Sequence, residues 1–240
     1  MDLENSWTVA RKDLTIYRRK KSILYTSILV PVLVGIGFPA LLLIIANAGH
    51  TPFNQSIPVF NAFFFWFIIV AALVPFSMAS YTIIGEKVEK TLEPLLATPL
   101  TDSEFFLGKI IAALIPSVPA TYLGAAIFMS IIDVLSNQFY YPNWTAAVVF
   151  VAVPIASLFS IQSNMFISAR VNDIRTAQQY GGVVTYFPLL ILFYLGVAGV
   201  ISLDAGTLLI FSGILLVLNL LLFYINKATF QRESILTRYT

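Results

Sequence analysis

Residues 86–100 read EKVEKTLEPLLATPL, a charged segment that separates two long apolar stretches of the chain. An α-helix of about 20 apolar residues crosses the roughly 30 Å hydrocarbon core of a bilayer. Working outward from the charged segment, six stretches reach that length: Ile23–Ala48, Phe60–Ile83, Phe106–Ile132, Trp144–Ser168, Tyr180–Ser202 and Thr207–Asn226. Because charges occur only within about a turn of their ends, the sequence predicts six transmembrane helices in an all-α integral membrane protein.

The composition favours the same class of protein. Hydrophobic residues make up 58% of the chain and charged residues 11%, whereas soluble domains carry about 25% charged residues. Cysteine is absent, which excludes disulfides and thiolate metal sites. The single histidine, His50, has no evident partners for a metal site or a Ser–His arrangement. The net charge of +2 is too small to indicate nucleic-acid binding.

The basic residues predict how the helices are oriented, because Lys and Arg are retained on the cytoplasmic side. All 14 lie in the N-terminal segment, the loops after the second and fourth apolar stretches, and the C-terminal tail. Segments 49–59, 133–143 and 203–206 contain none. We therefore expect residues 1–240 to form a single transmembrane domain of the plasma membrane, with both termini in the cytoplasm.

Residues 1–21 precede the first span and carry an amphipathic pattern. Apolar side chains recur every three or four residues at Leu3, Trp7, Ala10, Leu14 and Tyr17. Cations occupy other positions on the helical wheel, at Arg11, Lys12 and Arg18. The pattern predicts a helix along the cytoplasmic membrane interface, with its cations near lipid phosphates. The alternative, a solvated tail, would expose the large apolar side chains without reason.

Within the quoted segment, helix signals predict a short, separately capped cytoplasmic helix. Thr91 can cap it, and Pro94 falls in the first turn, where backbone N–H groups have no intrahelical partner. Pro99 disfavours helical backbone at the preceding residue, so the helix has about two turns. Beyond it, Thr101 and Glu104 have the spacing of a capping box that begins the third span.

The same segment resembles the loop between the second and third spans in membrane subunits of ABC-2 type ATP-binding-cassette transporters. In that family, charged residues precede the pattern G-T-L-E-x-L-L-x-T-P, and a G-K pair follows as the third span begins. The matching residues here are Glu86, Lys87, Glu89, Thr91, Leu92, Glu93, Leu95, Leu96, Thr98, Pro99, Gly108 and Lys109. Lys90 stands where the family usually has glycine, and Pro94 is unusual inside the motif. With the six spans and the N-terminal helix, the resemblance covers nearly the whole chain.

The resemblance implies that residues 86–100 contain a coupling helix, which docks on a separate ATP-binding subunit and passes its motion to the spans. The docking face would consist of Leu92, Leu95 and Leu96. The acidic residues that would position it, or pair with basic residues of the partner, are Glu86, Glu89 and Glu93. The chain would then be the permease subunit of an exporter, working with a second copy or a related permease. The alternative is a structured loop that packs beneath its own bundle.

An energy source of its own is missing from the chain. Gly108–Lys109 is followed by Ile110, so the phosphate-binding loop G-x-x-x-x-G-K-[ST] is not present. Mid-membrane carboxylates, which proton-coupled carriers use as relays, are also missing. We therefore expect no bound cofactor or catalytic residue here, and the resemblance places ATP and Mg²⁺ on the partner subunit. The alternatives are a channel or ion-gradient-driven carrier with a regulatory cytoplasmic loop, and a non-transporting assembly or sensor subunit.

The fourth span carries the most polar face of any. Ser157, Ser160, Asn164 and Ser168 follow one another at steps of three or four residues and share one side of the helix. Such a face would line a conduit for the substrate, or it would hydrogen-bond to neighbouring helices. The sequence favours neither interpretation over the other.

An aromatic run lies near the predicted outer end of the second span. Residues 63–67 read FFFWF. Because aromatic residues concentrate at membrane–water interfaces, we interpret the run mainly as part of an interfacial belt.

Overall fold

The computed structural model is helical almost throughout the residues that it describes, which are 3–19, 21–49, 57–88, 100–137, 139, 144–171, 173–198 and 204–229. The helices are α1 (Leu3–Arg19), α2 (Lys21–Gly49), α3 (Ile57–Val88), α4 (Asp102–Ser136), α5 (Trp144–Ser168), α6 (Ile174–Val197) and α7 (Ala205–Thr229). No strand occurs within those ranges. The predicted all-α class is therefore confirmed.

Five helices in the described part of the chain are long and apolar enough to cross a membrane. They are Tyr25–Ile44, Asp102–Ser136, Trp144–Ser168, Ile174–Gly196 and Ala205–Ala228. These correspond to the first, third, fourth, fifth and sixth apolar stretches of the sequence. The second stretch lies in α3, where the apolar helical part among the described residues is the shorter Phe63–Phe76. The protein is thus a multi-pass α-helical membrane protein, with five candidate spans among its described residues.

Helices α3 and α5 form the centre of the bundle. They pack extensively on each other, and α6 contacts both. Helix α7 packs on α5, while α2 packs on α4 and α3. Among the candidate spans, α5 is the most enclosed and α6 the least. The outer faces of α2, α6 and α7 expose many Leu, Ile and Val side chains, as expected for helices that contact lipid.

Two glycines let α2 lie directly against α4. A Cβ atom on Gly35 would overlap the carbonyl oxygen of Gly124, and one on Gly124 would overlap the carbonyl oxygen of Pro31. Backbone atoms cannot rotate aside, so this close approach requires residues without side chains. On the same helix, a Cβ atom on Gly37 would meet nothing within 4 Å.

The aromatic run of α3 lies mainly inside the protein. Phe64, Phe65 and Phe67 are fully buried. The ring of Phe67 packs edge-on against Phe128 of α4, with centroids 5.7 Å apart, and Phe65 stacks on Phe193 of α6 at 6.0 Å. The interfacial-belt interpretation is therefore wrong for these three residues. Because α3 is central, its aromatic side chains fill the space between helices.

Candidate coupling site

Helix α1 docks on the bundle through one face. The buried residues of this helix are Ser6, Val9, Ala10, Asp13 and Tyr17. Ala10 and Tyr17 join an apolar cluster that includes Met78 of α3 and Phe105 of α4. The predicted N-terminal helix is confirmed. Of its predicted apolar face, Ala10 and Tyr17 are buried in the protein, whereas Leu3 and Trp7 are 74% and 50% exposed, and its position along the membrane interface stays a prediction. Steps of three or four residues from Ser6 toward the C-terminal end of α1 lead to the other residues that face the protein, whereas Leu3 and Trp7 remain on the outer surface.

Gly108 allows α1 to approach α4 closely. A Cβ atom at this position would lie 2.6 Å from the carbonyl oxygen of Ser6 and 2.6 Å from the Cβ atom of Val9. Both of these atoms belong to the α1 backbone or attach directly to it, so neither can move without the helix. The absence of a side chain at Gly108 therefore sets the separation of the two helices.

A capping box fixes the start of α4. The Thr101 side chain accepts a hydrogen bond from the Glu104 backbone N–H at 3.3 Å. In return, the Glu104 carboxylate accepts one from the Thr101 backbone N–H at 3.0 Å. This arrangement satisfies two donors that a helix N-terminus would otherwise leave unpaired, and it confirms the prediction for these two residues.

A buried charge cluster joins α1, α3 and α4 at this end of the bundle. Lys109 is 1% exposed, and its Nζ atom lies 2.7 Å from Oε1 of Glu86 and 3.0 Å from Oδ2 of Asp13. The same Glu86 oxygen also lies 3.0 Å from Nζ of Lys12, which is partly exposed. Among the described residues, two carboxylates and two ammonium groups thus meet here, and the formal charges of these four groups cancel. We call Asp13, Glu86 and Lys109, with Lys12 at the rim, the charge cluster.

The environment of Asp13 perturbs its titration. Burial raises the pKa of the Asp13 carboxyl above its usual 3.8, because the charged form loses its hydration. The adjacent Lys109 acts in the opposite direction by attraction and by hydrogen bonding, whereas the negative charge of Glu86 adds to the rise. Asp13 is therefore held in place by Lys109 at a considerable desolvation cost.

The structure brings together some of the residues predicted for coupling. Glu86 and Lys109 are in direct contact, and Gly108 adjoins them. Lys87 lies in the last turn of α3. The remaining predicted residues lie outside the described part of the chain, namely Glu89, Thr91, Leu92, Glu93, Leu95, Leu96, Thr98 and Pro99. Their docking role, and the short helix that they would form, stay predictions.

The predicted conduit residues all lie buried within the bundle. The hydroxyl groups of Ser157 and Ser160 donate hydrogen bonds to the backbone carbonyls of Ala71 and Ala72 in α3, at 2.8 and 2.6 Å. Asn164 Nδ2 donates to the Ser160 carbonyl at 2.8 Å and lies 3.4 Å from the Thr185 hydroxyl of α6. The Ser168 hydroxyl donates to the Met165 carbonyl at 3.1 Å. In this chain the face hydrogen-bonds to α3 and α6, and a role in lining a conduit stays a prediction.

Polar contacts between α5 and α7 were missed from the sequence. Gln162 Nε2 donates to Asn219 Oδ1 at 3.2 Å, and Asn219 Nδ2 donates to the Ile155 carbonyl at 3.0 Å. Asn226 Nδ2 donates to the Gln162 carbonyl at 3.2 Å. The spacing of Asn219 and Asn226, seven residues apart on one helix face, is the sequence signal that would have indicated this contact.

Two members of the charge cluster, Asp13 and Lys12, were also missed. Asp13 lies three residues after Ala10 and four before Tyr17, so it shares the face that both occupy. An aspartate on the apolar side of a mostly basic helix indicates a buried cationic partner, because ionised side chains are rarely buried unpaired. That partner, Lys109, is 96 residues away along the sequence, and no local pattern identifies it.

The bundle, its docked N-terminal helix and the charge cluster describe a multi-pass membrane protein with an organised site where α3 ends and α4 begins. Residues 7–232 match the family described as ABC-2 family transporter protein. The match covers nearly the whole chain, which therefore belongs to this family and is a membrane component of an ABC transporter. Among curated proteins, the comparison found no match.

Proposed function

We propose that the chain is the permease subunit of an ATP-driven exporter in the plasma membrane. ATP and Mg²⁺ bind to a separate ATP-binding subunit, and two permease chains, identical or related, enclose the path of the substrate. The chain crosses the membrane six times with both termini in the cytoplasm. Helix α3 supplies the second span, since its 32 residues at about 1.5 Å each exceed the roughly 30 Å hydrocarbon core.

The contact between Glu86 and Lys109 carries this proposal. Glu86 lies in the last turn of α3, and Lys109 lies about two turns into α4. Their 2.7 Å ion pair joins the last turn of α3 to the second turn of α4, the helices on either side of segment 89–99. A partner that presses on this segment therefore acts on α3 and α4 together. Because α3 is a central helix, such a displacement reaches the packing of the whole bundle.

The test is a purification of the tagged chain from its own host in mild detergent, followed by identification of bound chains and an ATPase assay with Mg·ATP. Native protein is expected to retain an ATP-binding subunit in stoichiometric amount. The double variant Leu95→Glu/Leu96→Glu is expected to lose it, because two buried carboxylates would oppose docking of an apolar face. Leu3→Glu is the matched control, since Leu3 is an exposed leucine on α1.

The outcomes separate the candidate functions. Loss of the ATPase from the double variant, but not from Leu3→Glu, supports the coupling role of the segment. Equal recovery from all three proteins would refute the docking assignment. A native chain that purifies as an oligomer without any ATPase, and that transports in response to an ion gradient, would indicate the channel or carrier instead.

A further inference from the structure

The charge cluster does more than join the two helices that flank segment 89–99. Its third buried member, Asp13, belongs to α1, which precedes the first span and is not part of that loop. Asp13, Glu86 and Lys109 are 3%, 5% and 1% exposed, so all three are removed from water. Lys12, also on α1, supplies the positive charge that balances the cluster. Helix α1 therefore contributes one charge of each sign to a site at the two ends of the loop.

Stability alone does not account for a cluster of this kind. Apolar side chains of similar volume often stabilise a core as well as buried ions do, because ions lose their hydration on burial. The charges add a requirement for orientation. Lys109 Nζ can lie within 3.0 Å of both Asp13 and Glu86 only when α1, α3 and α4 keep one arrangement. The close approach at Gly108, one residue earlier, restricts the same interface by contact.

We propose that the charge cluster makes α1 part of the coupling element, so that α1 moves as one body with both ends of segment 89–99. This inference rests on the proposed function, since coupling requires an ATP-binding partner. Asp13, Glu86 and Lys109 act as positioning residues: they transmit displacement between helices and contact neither ATP nor substrate. A displacement of segment 89–99 then moves α1 as well as α3 and α4.

The experiment measures the distance between α1 and α4 directly. The chain contains no cysteine, so Thr8→Cys on exposed α1 surface and Ser103→Cys at the start of α4 introduce the only two thiols for spin labels. Distances between the two spin labels are measured by double electron–electron resonance, on the labelled chain alone and on its complex with the ATPase. The complex is measured without nucleotide and with Mg·ATP and vanadate. The native cluster is expected to give one narrow distance that is the same in every state.

Removal of the charges with little change of volume tests the cluster itself. The triple variant Asp13→Asn/Glu86→Gln/Lys109→Met is expected to broaden the distance distribution, and to shift its mean by about 2 Å or more on vanadate trapping. Asp13→Asn alone, which leaves the Lys109–Glu86 pair intact, is a milder second variant with the same expected direction. Arg11→Met removes an exposed charge from α1 and is expected to change nothing.

Each outcome bears on the inference. Broadening in Asp13→Asn, reproduced in the triple variant, with a native distribution in Arg11→Met, supports it, whereas a purely structural role would leave the folded variants with the native response to nucleotide. A folded Asp13→Asn variant with the native narrow distance in every state would overturn it. If no ATPase accompanies the native chain, the proposed function fails, and the measurement on the chain alone still decides whether the charges fix α1 to α4.

Discussion

Replacement of Gly108 by alanine is expected to displace α1 from α4. The added Cβ atom would lie 2.6 Å from both the Ser6 carbonyl oxygen and the Val9 Cβ atom, and 2.9 Å from Val9 Cγ1. Contacts below 3.0 Å between such atoms require movement, and two of these three atoms can move only with the α1 backbone. The cost falls on the docking of α1, because α4 is held at both faces by other helices.

The expected magnitude comes from two opposing terms. Overpacking of a close contact costs about 1–3 kcal/mol. Alanine is favoured over glycine inside a helix by about 1 kcal/mol. Gly37→Ala isolates the second term, because its Cβ atom would meet nothing within 4 Å. The difference in free energy of unfolding between the two variants is therefore about 1–3 kcal/mol, or roughly 2–12 °C in melting temperature for a chain of this length.

Two measurements check this prediction. Thermal unfolding in detergent compares Gly108→Ala and Gly37→Ala with the native chain. Maleimide labelling of Ser6→Cys then reports the docking of α1, since Ser6 is fully buried and the chain has no native thiol. We expect Ser6→Cys to be protected in the native and Gly37→Ala backgrounds and to react in Gly108→Ala. Equal melting temperatures together with a protected thiol would show that α1 does not rest on Gly108 as described.

Other substitutions test the packing, the polar contacts and the titration of Asp13. Gly35→Ala is expected to have a free energy of unfolding about 1–3 kcal/mol lower than that of Gly213→Ala, because only the methyl group added at Gly35 would overlap backbone atoms. Equal melting temperatures for the two variants would contradict the close approach of α2 and α4. Asn219→Ala is expected to lower the free energy of unfolding by about 1–3 kcal/mol, since the buried Gln162 amide loses its acceptor; a native melting curve would argue against that contact. Burial raises the pKa of Asp13, so the folded chain binds this proton more tightly than the unfolded chain. This contribution to stability is complete below pH 3.8 and is lost as pH rises through the folded pKa. Asp13→Asn should remove that pH dependence from thermal unfolding curves, and an unchanged pH profile would contradict the assignment.

The apolar stretches predicted most of the fold because a membrane helix needs only length and the absence of charge. That rule located all five candidate spans. The capping box at Thr101 and Glu104 was predictable for a similar reason, since its geometry depends on two residues three positions apart. Features that depend on local spacing were therefore predictable from the sequence.

The aromatic run and the face of α1 show where such rules end. Five consecutive aromatic residues carry no period that distinguishes a lipid interface from a central helix, so Phe64 and its neighbours were misplaced. On α1, the apolar pattern identified Ala10 and Tyr17, which are buried, but it did not identify Ser6 and Val9, which also face the protein. At Ser6 and Val9 the neighbouring helix approaches at Gly108 and leaves no space for a large side chain.

Helix α4 connects these contacts into one mechanical path. It meets α1 at Gly108 and α2 at Gly124, it carries Lys109 of the charge cluster, and it runs as a continuous helix from Asp102 to Ser136. At both glycines the neighbouring backbone lies directly against it, so no flexible side chain can absorb a small displacement. A push at the start of α4 must therefore move α1 and α2 with it or separate them from it. The charge cluster opposes separation at that end, because pulling α1 away would break the 3.0 Å contact between the Asp13 carboxylate and the Lys109 ammonium group.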